Sequence, residues 1–172
     1  MTRFLLLLLP LHALAASSIC PASPASVHAK CELTVTFEEP CNEVMDEMQA
    51  RIKSNKWVDP HNQGTYTLGS GPASDTRLEV SRTTGDNRYT DKMAIEFEAS
   101  SSSGGCTIQA CSTSQVTSVL DYSTNFCNLR NLYCNSSDNC AAIHHELTYT
   151  EGYDDCWQRT ADKCNTNKKS DL

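Results

Sequence analysis

The chain has 172 residues, ten cysteines, 14 basic and 21 acidic side chains, a net charge of −7 and a pI near 5.1. Its length suits one domain, by the soft prior of about 100–200 residues per domain. The basic residues are dispersed, apart from Lys168 and Lys169, so a nucleic-acid backbone and an anionic membrane surface are both disfavoured as partners by charge repulsion.

The N-terminus, MTRFLLLLLPLHALAASS, places Arg3 ahead of the apolar run Phe4 to Leu9 and then Ala13-Leu14-Ala15. A short basic region, a short apolar core and a small-x-small pattern make a secretory signal peptide. The core is too short for a membrane span, and no second apolar run follows. Cys20 follows Ile19, where bacterial lipoprotein processing requires a small residue. The expected organisation is a signal peptide over 1–16, an irregular Ser/Pro/Ala-rich lead over 17–30, a single disulfide-stabilised domain over 31–164, and a polar tail over 165–172.

CELTVTFEE, residues 31–39, alternates cleanly: Leu33, Val35 and Phe37 face one way, Thr34, Thr36 and Glu38 the other. This is a half-buried strand, stopped by Pro40. NEVMDEMQARIKS then carries Val44, Met45, Met48 and Ile52 at helical spacing, with Asn42 as N-cap. Glu43, Asp46 and Glu47 come early and Arg51, Lys53 and Lys56 late, which complements the helix dipole. Glu47 and Arg51 are four apart, the spacing of an ion pair on one face. Asp59-Pro60 and Asn62-Gln63-Gly64 are turn chemistry, and a short strand follows near Tyr66 to Leu68. RLEVSR and YTDKMAIEFEA read as strands joined by the turn TTGDN, with Leu78, Val80, Met93, Ile95 and Phe97 inward. SSSSGG, residues 100–105, leads into a further strand, CTIQACS.

This order predicts an α+β fold: an antiparallel sheet of four to five strands, strand–helix–meander, with one amphipathic helix packed on its dry face. Cystatin-like sheets are similar in outline. The Q-x-V-x-G loop of that family is missing, the nearest string being QVTSV at 115–119, so the similarity implies architecture alone.

Cys20, Cys31 and Cys41 lie early; Cys106, Cys111, Cys127, Cys134, Cys140, Cys156 and Cys164 lie late. An even count behind a signal peptide reads as a disulfide framework. No C-x2-C pair is present, so neither a metal nor another cofactor is expected. Both groups are odd in number, so full pairing within the chain demands at least one bond between them. The spacing leaves the connectivity open.

The segment STNFCNLRNLYCNSSDNC, 123–140, concentrates cysteine and asparagine. Phe126, Leu129 and Tyr133 suit a short helix from about Asn125. On it Cys127 and Cys134 stand about 10 Å apart, beyond the roughly 7 Å limit of a disulfide. Each must then anchor the segment elsewhere, and the asparagines suit the ends and turns. Asn135-Ser136-Ser137 is the only glycosylation sequon.

His144-His145-Glu146 is a weak acid–base or metal candidate. Neighbouring strand residues diverge, so His144 would pair with Glu146 rather than with His145. A second candidate is a polar cleft for a sugar or other ligand, formed by Trp57, Asp59, His61, Asn62 and Tyr66. No nucleophile motif is visible. The function expected is extracellular binding of a protein or glycan, or a structural role in a matrix. The rival is a secreted hydrolase using His61 or His144 with a carboxylate such as Glu146. The C-terminal KSDL resembles a KDEL-type retrieval signal, which makes retention in the endoplasmic reticulum lumen the alternative to secretion.

Overall fold

Side-chain alternation along the strands decides which face of the sheet stays dry. The structure is a computed structural model and describes residues 18–54, 56–71, 74–101, 104–152 and 155–165; the expected signal peptide and the KSDL tail lie outside them. Strand β1 (Lys30–Phe37) buries Cys31, Leu33, Val35 and Phe37. Helix α1 (Cys41–Lys53) follows, then β2 (Thr65–Leu68), β3 (Arg77–Thr83), β4 (Thr90–Ala99), β5 (Cys106–Ser114), helix α2 (Thr124–Arg130) and β6 (Tyr149–Glu151). The sheet order is β2-β3-β4-β5-β1-β6, with every pairing antiparallel.

The architecture is α+β as the sequence implies, with two corrections of count. Six strands form the sheet where four or five were expected, and two helices pack on it where one was expected to, the second being the short helix expected from about Asn125. The additional strand, β6, pairs only three residues with the edge of β1. So short a strand carries almost no periodicity of its own, and its partner supplies the conformation. Helix α1 begins at Cys41 with Pro40 in the cap position and no side-chain cap, rather than at an Asn42 cap; the amides of Glu43 and Val44 donate to Pro40 O. Cys41 is bonded to Cys106, so a covalent anchor holds this end of the helix to the start of β5.

Both helices lie on one face. Val44, Met45 and Met48 of α1 and Phe126 and Leu129 of α2 join one core with Leu33, Val35, Met93, Ile95 and Ile108. Each such side chain contributes about 1.5–3 kcal/mol on burial. The lead crosses the opposite face, where Ile19 packs on Ala94 and Cys111, and Cys20 bonds Cys111.

The remaining disulfides are Cys31–Cys156, Cys127–Cys164 and Cys134–Cys140. Three of the five bonds therefore join the early group to the late one. Cys127 and Cys134 take separate partners, but only Cys127 ties the 123–140 segment elsewhere; Cys134 lies beyond the end of α2 and bonds Cys140 inside the segment, so the expected second anchor fails. No cysteine is free.

The same two-residue period carries polar side chains inward at one end of the sheet. Arg82 continues the inward row Leu78, Val80; Asp91 precedes Met93, Ile95 and Phe97; Ser112 and Ser114 follow Ile108 and Ala110. The register sets Arg82 opposite Asp91 and Asp91 opposite Ser114. Helix α2 meets this row with asparagines. Asn128 Nδ2 donates to Asp91 Oδ2 at 2.8 Å and to Ser112 Oγ at 3.0 Å. Asn125 Nδ2 donates to Ser114 Oγ at 3.0 Å and Asn125 Oδ1 accepts from Ser112 Oγ at 2.7 Å. Asn125, Asn128 and Asn131 are all buried, so the expectation that the asparagines serve ends and turns fails for Asn125 and Asn128; Asn131 does stand at the C-cap of α2, with its side chain donating inward to Asp59 Oδ1 and Cys164 O. The expectation holds for Asn135, whose side chain accepts from Ser137 N and caps a short turn over Ser136–Asp138.

Candidate functional site

The Trp57–Tyr66 turn, expected to form a cleft, is instead largely internal. Asp59 is buried. Its Oδ1 accepts from His61 N (3.2 Å) and Asn131 Nδ2 (2.7 Å); its Oδ2 accepts from Gly64 N (3.1 Å) and from Arg82 Nε (3.0 Å) and Nη2. Arg82 Nη2 also donates to Asn62 Oδ1 and to His61 O. A Cβ on Gly64 would sit 2.3 Å from the Arg82 guanidinium, so only glycine lets the turn close over this ion pair.

The His61 ring faces Lys163 O at 2.7 Å through Nδ1 and Thr124 Oγ1 at 3.2 Å through Nε2. A carbonyl only accepts, so these partners assign the proton to Nδ1 and leave Nε2 to accept from the Thr124 hydroxyl. Burial pushes the His61 pKa down, which favours this neutral ring. Tyr66 donates its hydroxyl to Asn128 O and is also buried, its pKa raised by that burial. Trp57 meets Tyr66 edge-on, ring centroids 5.6 Å apart, beside a hollow of about 250 Å³. Asn62 lines a different and larger cleft. The five expected binding residues are thus spread over an internal network and two separate surfaces.

His144 and His145 do not pair with Glu146. His144 Nδ1 lies 2.7 Å and His145 Nε2 3.1 Å from the same oxygen, Asp46 Oδ2. Hydrogen bonding from His144 is the chief reason the Asp46 carboxyl lies below its ordinary range. Glu146 instead accepts from Ser136 N at 2.6 Å. The histidine loop is held from beneath by Glu47, whose carboxylate accepts from the amides of Ile143, His144 and His145. The sequon residue Asn135 donates Nδ2 to Leu147 O at 2.9 Å. Cys20, Glu32 and Cys111 come together at metal-ligand spacing, but the two sulfurs are bonded to each other and have no thiolate to offer.

The larger cleft, about 540 Å³, opens at the polar end of the sheet. Three loops build it: the turn at Asn62, the β3–β4 turn from Thr84 to Tyr89, and the β5–α2 connection from Val116 to Tyr122. Gly85 makes the first two loops meet, since a Cβ there would lie 2.3 Å from Asn62 O. Asp91 and Ser114, the ends of the inward polar row, also line it. Burial raises the Asp91 pKa.

The β5–α2 connection is held in a rarely populated form. Tyr122 and Ser123 both have positive φ, 53° and 68°, which is uncommon outside glycine. Gln158 Oε1 accepts from Asp121 N (2.8 Å) and Tyr122 N (2.7 Å). Asp121 in turn accepts from Ser123 N and Asn125 N, capping the start of α2. Tyr122 is thereby turned outward, 72% exposed, next to Leu120 at 63%. Tyr89 and Val116 complete an apolar rim.

No sequence motif marks this rim. The available signal was the aperiodic cluster Val116, Val119, Leu120 and Tyr122 in an otherwise polar connection.

No family model matches the chain, and no curated protein matches it. Among solved structures, an uncharacterized protein from Rhizobium leguminosarum is 14% identical, over 60% of this chain and 86% of its own, with a TM-score of 0.31. Similarity that low carries no argument about fold or function.

Proposed function

We propose that this protein is a secreted domain, braced by disulfides, that acts by extracellular binding through the cleft between the β3–β4 turn and the β5–α2 connection. One observation carries the reading: the exposed side chains of Tyr89, Val116, Leu120 and Tyr122 all gather around that cleft. Apolar groups concentrated at a concave site, with a few polar groups at its floor, are the usual form of a binding pocket, and about 540 Å³ falls in the common range for one. Export fits five disulfides, which persist in oxidising compartments. It also fits the absence, among the described residues, of a helix long and apolar enough to cross a membrane.

The test uses oxidised, fluorescently labelled protein applied to a glycan array and to intact cells. Retention that is lost in the double variant Leu120→Asp/Tyr122→Asp supports the cleft. Retention unchanged by that variant, or none on any surface, overturns the reading.

The rival hydrolase reading keeps one observation in its favour, the 2.7 Å contact of His144 Nδ1 with Asp46 Oδ2. Both residues are exposed and neither lines the cleft. Turnover of ester or glycoside substrates that is abolished by His144→Ala would establish it in place of binding.

A further inference from the structure

The walls of the cleft have a marked charge asymmetry. Asp86, Asp91 and Asp121 line it, and among the described residues lining it there is no lysine, arginine or histidine. Two arginines stand next to lining residues, Arg82 opposite Asp91 in the sheet and Arg88 between Asp86 and Tyr89 in the turn. Arg82 gives Nε and Nη2 to Asp59, Asn62 and His61 O, with its buried Nη1 without a partner among the described residues and its charge opposite Asp91 on the neighbouring strand, and Arg88 rests over the Tyr89 ring at 5.6 Å.

The carboxylates are hydrogen-bonded, and among the described residues none of the three is within salt-bridge distance of a basic side chain. Asp121 accepts from the amides of Ser123 and Asn125, Asp86 from Thr84 Oγ1 at 2.6 Å and from Arg88 N at 3.2 Å, and Asp91 from Asn128. With many of their lone pairs occupied, they are poorly suited to collect new hydrogen bonds from the hydroxyls of a neutral sugar. Their charge remains, and it acts on a cation without displacing those bonds. Asn128 Oδ1, on the residue that donates to Asp91, is a buried acceptor with no partner among the described residues. The rim adds the Tyr122 and Tyr89 rings, whose faces attract cations, and the apolar side chains of Val116 and Leu120. The net charge of −7 reinforces the local field at long range.

We propose that the cleft binds a small organic cation, an amine or quaternary ammonium group carried on an apolar body, with the cation directed to the carboxylate floor and the body against the Tyr122–Leu120 rim. This rests on the reading of the cleft as the binding site. The charged head exchanges water for Asp91, Asp86 and Asp121 at the polar end of the sheet. The apolar body covers side chains that are otherwise left in water. Asp91 also couples binding to protons. Burial raises its pKa, opposed by the Asn128 and Ser114 hydrogen bonds and by Arg82, and supported by Asp121. A cation beside it favours the ionised form, so binding releases a proton wherever Asp91 is partly protonated.

The test is calorimetric titration of the full oxidised chain with three matched probes: phenethylamine, phenethyl alcohol and hydrocinnamate. They share an arylalkyl body and are cationic, neutral and anionic. Amide chemical-shift mapping of each locates the contact. The amine is expected to bind about tenfold more tightly than the alcohol, with the anion weakest, and to perturb Gly85, Tyr89 and Val116 to Tyr122. Asp91→Asn is expected to remove most of that preference. Asp86→Asn, on an exposed turn where the amide oxygen can still accept from Thr84 Oγ1 and Arg88 N, is expected to reduce it about threefold, and neither substitution should affect the alcohol.

Equal binding of amine and alcohol in the cleft would overturn the cation proposal and leave the cleft as a binding site. Binding of the amine elsewhere, or of none of the three probes, would also overturn the proposal. The array and cell experiment, with its rim variant, then decides separately whether the cleft binds anything.

Discussion

The carboxylate of Glu47 and the guanidinium of Arg51 meet at 2.6 Å, one helical turn apart, with neither side chain exposed at all. Spacing alone suggests a surface pair worth a few tenths of a kcal/mol. Here the pair is an internal junction. Arg51 also donates to Asn131 O at 2.9 Å and Cys134 O at 2.8 Å, and Glu47 accepts the three amides of the histidine loop. Two connections that follow α2 are thus hung from α1.

Breaking that junction from one side leaves a buried, unpaired charge. Glu47→Ala is expected to cost about 3–5 kcal/mol, read as a lower urea midpoint, with loss of hydrogen-exchange protection at Ile143, His144 and His145. A loss no larger than that of an exposed i,i+4 pair would mean the junction is not closed in solution.

The same residue sets an acid limit. Burial pushes the Glu47 pKa up, but the amides of His145, Ile143 and His144, together with Arg51, outweigh it and leave the carboxyl below its ordinary 4.5. The unfolded chain therefore takes up the proton first. This contribution to stability is complete above about 4.5 and is lost as the pH falls through the folded value. Chemical denaturation between pH 6 and 3 should show stability falling, with a shallower fall in Glu47→Gln.

Asp91 has the opposite sign. Its burial raises the folded pKa above the ordinary 3.8, so the native state holds the proton more tightly than the unfolded one. Stability from this group is present below 3.8 and is lost as the pH rises through the folded value. Asp91→Asn is therefore expected to raise the melting temperature at neutral pH and to change it little at pH 3. A variant less stable than wild type at both pH values would show that the contacts to Asn128 and Ser114 outweigh the cost of the charge.

The disulfides should rank by the loops they close. Cys41–Cys106 spans 65 residues and Cys134–Cys140 spans 6. In the chain-entropy model the first contributes about 4 kcal/mol and the second about 2, out of a typical total of about 5–15 kcal/mol. Double Cys→Ser variants compared by urea unfolding under non-reducing conditions should reproduce that order.

A methyl group separates two glycines. Gly85→Ala puts a Cβ 2.3 Å from Asn62 O, while Gly71→Ala meets nothing within 4 Å. The first is expected to destabilise by about 1–3 kcal/mol and to reduce ligand binding in the cleft. The second should change neither. Melting curves of the two variants test this directly.

Local periodicity explains which parts of the molecule are legible in the chain. The inward rows of β1, β3 and β4 follow from alternation, and the apolar stripe of α1 from a 3.6-residue repeat. Extending the rows one step places Arg82 and Asp91 inside as well, a consequence available from the pattern but contrary to where charged residues usually go. The Asn125-Asn128-Asn131 stripe was harder to read. Asparagine ordinarily favours caps and turns, and the side-chain amide nitrogens of an interior stripe find partners only because Ser112, Ser114, Asp91 and Asp59 face it from other elements, while Asn128 Oδ1 and Asn131 Oδ1 stay without a partner among the described residues. The cleft had no periodic signal, because three connections distant in sequence build it.

Residue order by itself determined the strand and helix faces, and the odd counts of cysteine on either side of a long cysteine-free stretch required a bond between the two groups. Both depend only on neighbours in the chain or on counting. Tertiary structure decided the sulfur partners, the burial of Glu47 with Arg51, and the gathering of three carboxylates beneath an apolar rim. Those depend on distances between remote segments, which strand register and helix docking set and no local pattern encodes.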